Sequence, residues 1–408
     1  MRNKWTVLAF LCCIFLVYTI DRALLGLLAI PIQEETGISN VRFGVLSAAI
    51  FWTYSACVPF SGLAGDRFNR ARIIGVAAIA WSAMTILAGF ATGFWSLLLL
   101  VSVAICAPQT LYSPTANALV AECHRETRTI ALSFHQAAYY TGWFLSGAAV
   151  SGVLAFFGSW RWAFFVFGTV GLALGVAFLL FSRQTTRSAA EGKEAHSPTL
   201  RESLRAFFGC RTALLMAVCY VAVVFVGYGY SAWGPKFVAQ KFSLTPAQAG
   251  TGVMFWHYAS AFAAILVAGF ATDRFVRKMP RFRMALSAGA FAVSVPALVL
   301  FGTSGSLPVV WASAALFGAM LGVIGANQFS SIFDVVPSSC RAGTLGFLNV
   351  IAGLIGSLAP IVLGWASETY GIRGFEVGFA AMGGVQLAAV MALAAAMAWT
   401  FVKDRIVE

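Results

Sequence analysis

Two short stretches of this chain are near copies, GLAGDRFNR over 62–70 and GFATDRFVR over 269–277. In each, a glycine stands four positions before an Asp-Arg-Phe-x-Arg run: Gly62 before Asp66, Arg67 and Arg70, and Gly269 before Asp273 and Arg274. Each copy also lies between two long apolar runs. A charged hairpin that returns once per half means two related halves. In a chain that lives in a bilayer, such halves enclose a central substrate path.

The composition places the chain in a bilayer. Of 408 residues, 60% are hydrophobic and 10% charged, with a mean hydropathy of +0.83. A soluble domain carries about 25% charged residues. One helical crossing needs about 20 apolar residues. Loops and charges divide the chain into spans expected at 5–31, 43–63, 73–92, 96–120, 129–156, 162–182, 212–238, 248–270, 284–303, 308–333, 343–366 and 375–402. The expected fold is all-α and integral to the membrane. It has an N-terminal six-helix bundle over 1–182, a cytoplasmic linker over 183–211 and a C-terminal six-helix bundle over 212–408. The basic start before the first apolar run imitates a signal peptide. That run is too long for one, and Asp21-Arg22 interrupts it, so a retained first helix is expected.

Charge sets the orientation. With both termini on one side, 21 of the 27 Lys and Arg fall on that side. Five (Arg42, Arg161, Lys236, Lys241 and Arg373) fall on the other, and Arg22 lies within the membrane. This is the positive-inside pattern. It predicts a bacterial-type inner (plasma) membrane protein with cytoplasmic termini, and the net charge of +12 is no sign of nucleic-acid binding. The eight cysteines have no metal-ligand spacing, so no metal and no cofactor is expected. A monomer is expected in the bilayer.

The segment from Ser182 to Arg211 is the longest polar one, suited to a linker. Within it, Thr199 and Glu202 have capping-box spacing. Leu200, Leu204, Phe207 and Phe208 share a face, which predicts a short helix in the cytoplasmic headgroup layer. In span five, Gly142, Gly147 and Gly152 recur every five residues and predict close helix contact.

At the repeated hairpins, Asp66 and Asp273 are placed to face helix N-termini of the opposite half. A carboxylate is stabilised there by about 0.3–1 kcal/mol. Arg128 and Arg341 occupy corresponding connections and are expected to pair with those carboxylates. Gly62, Asp66, Arg67, Arg70, Arg128, Asp273, Arg274, Asp334 and Arg341 are therefore the expected gating set. The bland reading is topogenic charge, but topology requires neither the glycine nor the aspartate in both copies.

These Gly-x3-Asp-Arg-x-x-Arg hairpins resemble the signature loop of the major facilitator superfamily, over essentially the whole chain. The resemblance implies two six-helix bundles that rock to give alternating access. Asn69 within 65–70, with Tyr18, Asp21 and Arg22 in span one, resembles the Spinster branch. The Tyr-x-x-Asp-Arg pattern also resembles sugar-acid permeases of the anion:cation symporter type. The superfamily often carries an arginine early in span four, followed by a Gly-x-Gly-Glu-type pattern. Residues 100–109 here have neither that Arg nor that Glu, so coupling through them does not carry over.

Asp21 and Arg22 are the sharpest local feature. A charge near mid-bilayer costs a few kcal/mol and needs a partner or water (roughly 3 kcal/mol by insertion scales). Neighbours on a helix point about 100° apart, so the pair does not neutralise itself. Arg22 is expected to grip a carboxylate or phosphate, and Asp21 to carry a proton. The bland reading is a buried structural pair. His135 is the second proton candidate, though a helical His is more often a packed, hydrogen-bonded one. His257, between Trp256 and Tyr258, is a weaker third. Tyr18, Gln109, Tyr112, Gln136, Tyr139, Asn327 and Gln328 complete the expected substrate set with Arg22.

No nucleophile–base cluster or phosphate-cradling loop suggests an enzyme. The expected activity is secondary active transport of a small organic anion, a carboxylate or sugar acid, by proton-coupled symport. The alternative is a Spinster-like exporter or exchanger of a lysolipid or other amphiphile. A membrane sensor that binds without transport is a remote third. The expected partners are the substrate, protons and the bilayer.

Overall fold

The computed structural model describes residues 4–124, 126–183, 200–276, 279, 281–337 and 340–406. Its described residues contain 12 helical stretches long and apolar enough to cross a membrane, matching the spans expected from hydropathy. Span one is α1 (Lys4–Leu27), prolonged after Leu28 by α2 (Ala29–Thr36). Spans two and three are α3 (Asn40–Arg67) and α4 (Arg70–Ala88). Span four is composite: α5 (Phe94–Leu97), a π-helical stretch Leu98–Ile105, α6 (Cys106–Gln109) and α7 (Tyr112–Cys123). Spans five and six are α8 (Arg128–Phe157) and α9 (Arg161–Arg183).

The linker helix is α10 (Leu200–Gly209). Span seven is α11 (Arg211–Phe242), eight α12 (Pro246–Phe275), nine α13 (Phe282–Thr303) and ten α14 (Leu307–Phe333). Span eleven breaks at Ser357 into α15 (Arg341–Gly356) and α16 (Leu358–Tyr370). Span twelve is α17 (Ile372–Ala395), a π-turn Ala396–Thr400 and α18 (Phe401–Asp404).

Two compact units emerge, one drawn from 1–192 and 231–255, the other from 193–230 and 256–408. The end of span seven and the start of span eight thus belong with the first six spans.

Span four departs from a plain apolar helix because of Pro108. Proline has no N–H to donate. Around it, Thr110 N bonds Ala107 O at 3.3 Å and Leu111 N bonds Pro108 O at 3.1 Å, both three residues back. Wide π turns in α-helices cluster at functional sites.

At the hairpin end of each unit, the described segment nearest a chain end is tied down within that unit. His124 Nε2 lies 3.1 Å from Lys4 O, and Ile406 N donates to Asp334 O at 3.0 Å. The first turn of α11 has an orphan N–H at Thr212, and the Asp404 carboxylate accepts it at 2.8 Å. The linker helix is seated on α15 through its two phenylalanines. Phe207 is buried, its ring 5.6 Å from Phe347 of α15, while Phe208 stays exposed against the same ring. Thr199, the expected cap, lies outside the described residues.

The opposite, far side of the first unit is clamped by one arginine. Arg161 donates to Glu35 at 2.6 Å and to the carbonyls of Gly89 and Ala91 at 2.8 and 2.7 Å. Trp160 Nε1 donates to the second Glu35 oxygen at 2.6 Å. These donors hold the Glu35 carboxyl below its usual range. Its contribution is therefore present at neutral pH and fades as pH falls, and it is modest because the carboxylate is exposed.

The glycine row of α8 is only partly a contact row. A Cβ on Gly142 would collide with Thr19 Oγ1 and lie 2.8 Å from Leu16 O of α1. One on Gly147 would lie 2.5 Å from Gly250 O, but one on Gly152 would meet nothing. Gly142→Ala is expected to lower stability by about 1–3 kcal/mol. Gly152→Ala should stay within about 0.5 kcal/mol of wild type or gain slightly. Thermal unfolding of the detergent-solubilised protein checks both, and equal effects would remove the contact argument.

Candidate substrate site

The site grows from one face of α1. Residues four apart on a helix are neighbours, and Tyr18 and Arg22 use that spacing: Arg22 Nη1 donates to Tyr18 OH at 3.3 Å. The guanidinium then lies over rings of span two, 5.0 Å from Tyr54 and 5.6 Å from Phe51, and 5.7 Å from Tyr18 itself. Cys106, beside Arg22 at the irregular part of span four, donates its thiol to Ile50 O at 3.0 Å. Ring faces attract a guanidinium by about 0.5–2 kcal/mol each. That helps to hold the cation in place.

Asp21 points elsewhere, as the helical pitch requires. It is 7% exposed, and neither carboxylate oxygen has a hydrogen-bond partner. Val17, one turn earlier on the same face, packs beside Gly171 of α9. An unpaired carboxylate in such a place is costly, and accepting a proton removes the charge.

Tyr112 and His135 form a closed network. Tyr112 OH lies 2.6 Å from Leu11 O and 3.0 Å from His135 Nε2. The phenol has one hydrogen, which goes to the carbonyl, so Nε2–H donates to the phenol oxygen. His135 is then the neutral tautomer, stacked on Phe15 at 4.5 Å, with Nδ1 buried and unpartnered. Three spans are joined here through α1, α7 and α8. Tyr139 packs on Phe15 at 5.2 Å, Gln136 is exposed, and Gln109 is buried with Nε2 unpartnered.

In the second unit, Asn327 of α14 is turned inward. Its Oδ1 accepts from Thr272 Oγ1 of α12 at 2.8 Å, and its Nδ2 donates to Val323 O. Gln328 beside it is half-buried with Nε2 unpartnered. His257 is buried among the rings of Tyr230, Tyr258 and Phe317 at 4.6–5.1 Å.

Among the expected gating residues, Arg70 at the start of α4 pairs with Glu122 near the end of α7. The second unit repeats this: Arg283 near the start of α13 donates to both Asp334 oxygens at 2.9 Å, after α14. Arg341 donates to Phe333 O at 3.0 Å, while Arg128 and Arg274 are exposed. Gly62 and the side chains of Asp66, Arg67 and Asp273 lie outside those described.

Sequence reasoning passed over four partners. Glu122 stands where Asp334 does and Arg283 where Arg70 does, one signal that was available. Phe51 and Tyr54 are three apart in an aromatic-rich span, which alone does not mark a cage.

Twelve spans of this connectivity, with charged hairpins repeated once per half and an ionisable pair in span one, define a secondary transporter. The chain belongs to the Major Facilitator Superfamily, whose model matches residues 10–360. It is similar to the D-galactonate transporter of Escherichia coli O6:H1, 25% identical across 91% of this chain and 90% of that one. It is also similar to the mouse sphingosine-1-phosphate transporter SPNS2, 27% identical over 54% of this chain and 41% of that one. The fold matches a bacterial homologue of the human lysosomal transporter Spinster in its inward-facing, occupied conformation. That match has a TM-score of 0.86 and 21% identity, covering 100% of this chain and 99% of that one. The protein is thus a multi-pass membrane transporter, not an enzyme, and moves a small molecule by alternating access.

The Tyr112–His135 network generates a test. Tyr112→Phe removes the hydroxyl and leaves His135 Nε2 without its partner, while Leu11 O keeps its bond within the helix, at a cost of about 1–3 kcal/mol for the one buried group. The melting temperature in detergent should fall, and unchanged melting would dismiss the network.

Proposed function

We propose that this transporter moves an amphiphile with an anionic headgroup, of the lysolipid or lipid-phosphate kind, with Arg22 gripping the headgroup. The observation that carries this is the Arg22 cage: a membrane-embedded guanidinium walled by Tyr18, Phe51 and Tyr54. Ring walls suit an apolar tail next to the charge. Two groups that would read a sugar's hydroxyls are engaged internally, Tyr112 with Leu11 and Asn327 with Thr272. Similarity to SPNS2, named for a phosphate-bearing amphiphile, supports the same reading.

The second reading, a carboxylate or sugar acid, is favoured by the end-to-end likeness to the D-galactonate transporter. Both readings place an anion on Arg22. In both, Asp21 carries the coupled proton, Gln109, Gln136 and Tyr139 supply further contacts, and the hairpins with Arg70, Asp334 and Arg341 gate one side. That side is the cytoplasmic one, on the strength of its excess of Lys and Arg.

The test uses proteoliposomes offered radiolabelled sphingosine-1-phosphate or D-galactonate, with and without an imposed pH gradient. Saturable movement of the amphiphile alone is expected. Movement of galactonate alone transfers the proposal to the second reading, and tight binding without movement would mean a sensor. Arg22→Ala removes charge-assisted hydrogen bonds worth about 1.5–3 kcal/mol, so affinity should fall by about 10–100-fold. Unchanged affinity defeats both anion readings. Asp21→Asn should give transport indifferent to the pH gradient, and a variant still driven by it would acquit Asp21.

A further inference from the structure

Charge counting assigns Lys236 to the solvated far side, as a topogenic residue. The structure places it within α11, only 8% exposed, inside the first compact unit. Its ammonium donates to Gln33 Oε1 of α2 at 2.5 Å and to Asn40 Oδ1 of α3 at 2.7 Å. The cradle is itself braced, since Gln33 Nε2 donates to Asn40 Oδ1 and to Ile38 O, each at 3.0 Å. Trp233, one turn back on α11, lies 5.5 Å from the ammonium and packs its buried ring on Phe43 of α3.

Backbone contacts flank the cluster. A Cβ on Gly26 of α1 would collide with Ser231 O of α11, and Gly147 of α8 meets Gly250 of α12 in the same way. The far end of spans seven and eight is therefore seated on spans one, two and five, and Lys236 is the buried cation at that seam.

We propose that Lys236, cradled by Gln33 and Asn40, is the latch that holds the far side of the transporter shut. The chemistry of the partners fits a contact that must open in every cycle. Neutral amide oxygens satisfy two of the three ammonium protons but supply no countercharge, and Glu34, the carboxylate that acts on it, is exposed. A buried ammonium paired with a buried carboxylate is strongly destabilised when the two part. An ammonium leaving two amides regains water and leaves no bare charge behind. Opening is consequently cheap, while the closed state keeps its hydrogen bonds and the Trp233–Phe43 packing.

Hydrogen exchange of the full-length protein in lipid nanodiscs, with no substrate, tests this. Backbone exchange reports the equilibrium of local opening. Lys236→Met should speed exchange about tenfold in residues 28–43 and 231–246, an opening made easier by about 1.4 kcal/mol. α10 and α15 should keep wild-type rates. Asn40→Asp supplies the missing countercharge and should slow exchange in the same two segments. Wild-type exchange at the far side in either variant, or acceleration spread evenly through both units in Lys236→Met, overturns the latch. Should Lys236→Met fail to fold, Asn40→Asp decides alone, because slowing is not an outcome that a merely damaged structure gives.

Discussion

The cost of leaving a charge or a polar group unpaired in hydrocarbon governs this molecule. Charged side chains are rare inside a span, and this protein gives each a different solution. Arg22 is surrounded by ring faces and a phenol. Lys236 is solvated by two amides. Asp21 has neither, and only a proton on the carboxyl relieves its cost. At the span ends, where water is near, opposite charges pair directly, as Arg161 does with Glu35 and Arg283 with Asp334. The pattern separates charges that are paired directly from charges that are not.

The duplication visible in the hairpins extends to a feature that the motif itself does not contain. In each unit an arginine near the start of the third helix reaches an acid near the end of the fourth: Arg70 to Glu122, and Arg283 to Asp334. Each pair ties the span after the hairpin to the next one, and so stiffens the base on which the hairpin turns. Beside the second pair, Arg341 binds the Phe333 carbonyl, Ile406 binds the Asp334 carbonyl, and α10 is anchored on Phe347. The linker is thus mechanically attached to the second unit's hairpin side.

Much of the fold was legible because a bilayer imposes length and hydropathy on each crossing, and the sequence records both. The span ends moved by a few residues only. The break in span four was written at Pro108, but an apolar run does not reveal a π stretch, because the register of backbone bonds leaves no compositional trace. The site was half legible. Asp21 and Arg22 stand out by charge alone, whereas Phe51 and Tyr54 become a cage only when α3 is rotated toward α1. The facing of Tyr112 toward His135, and of Asn327 toward Thr272, depends on helix rotation that a pattern of one polar residue per turn does not fix. Lys236 misled in the opposite direction: close to a span end it reads as solvated, and only the return of α2 and α3 over it makes it buried.

Adjacency of Asp21 and Arg22 gives the proposed proton coupling a physical basis. Because the two side chains leave α1 about 100° apart, the acid sits on a packed face and the cation among aromatic rings. The charge on one still acts on the other across a medium of low dielectric. With Asp21 protonated, the full positive field of Arg22 is available to an anion. With Asp21 ionised, that field is partly cancelled and anion affinity falls. Proton and anion are then favoured together and released together, which is the sign required for symport. An exchanger would need the opposite sign, so the response of anion affinity to Asp21→Asn discriminates between the two. Tighter binding, independent of pH, is the result that symport demands.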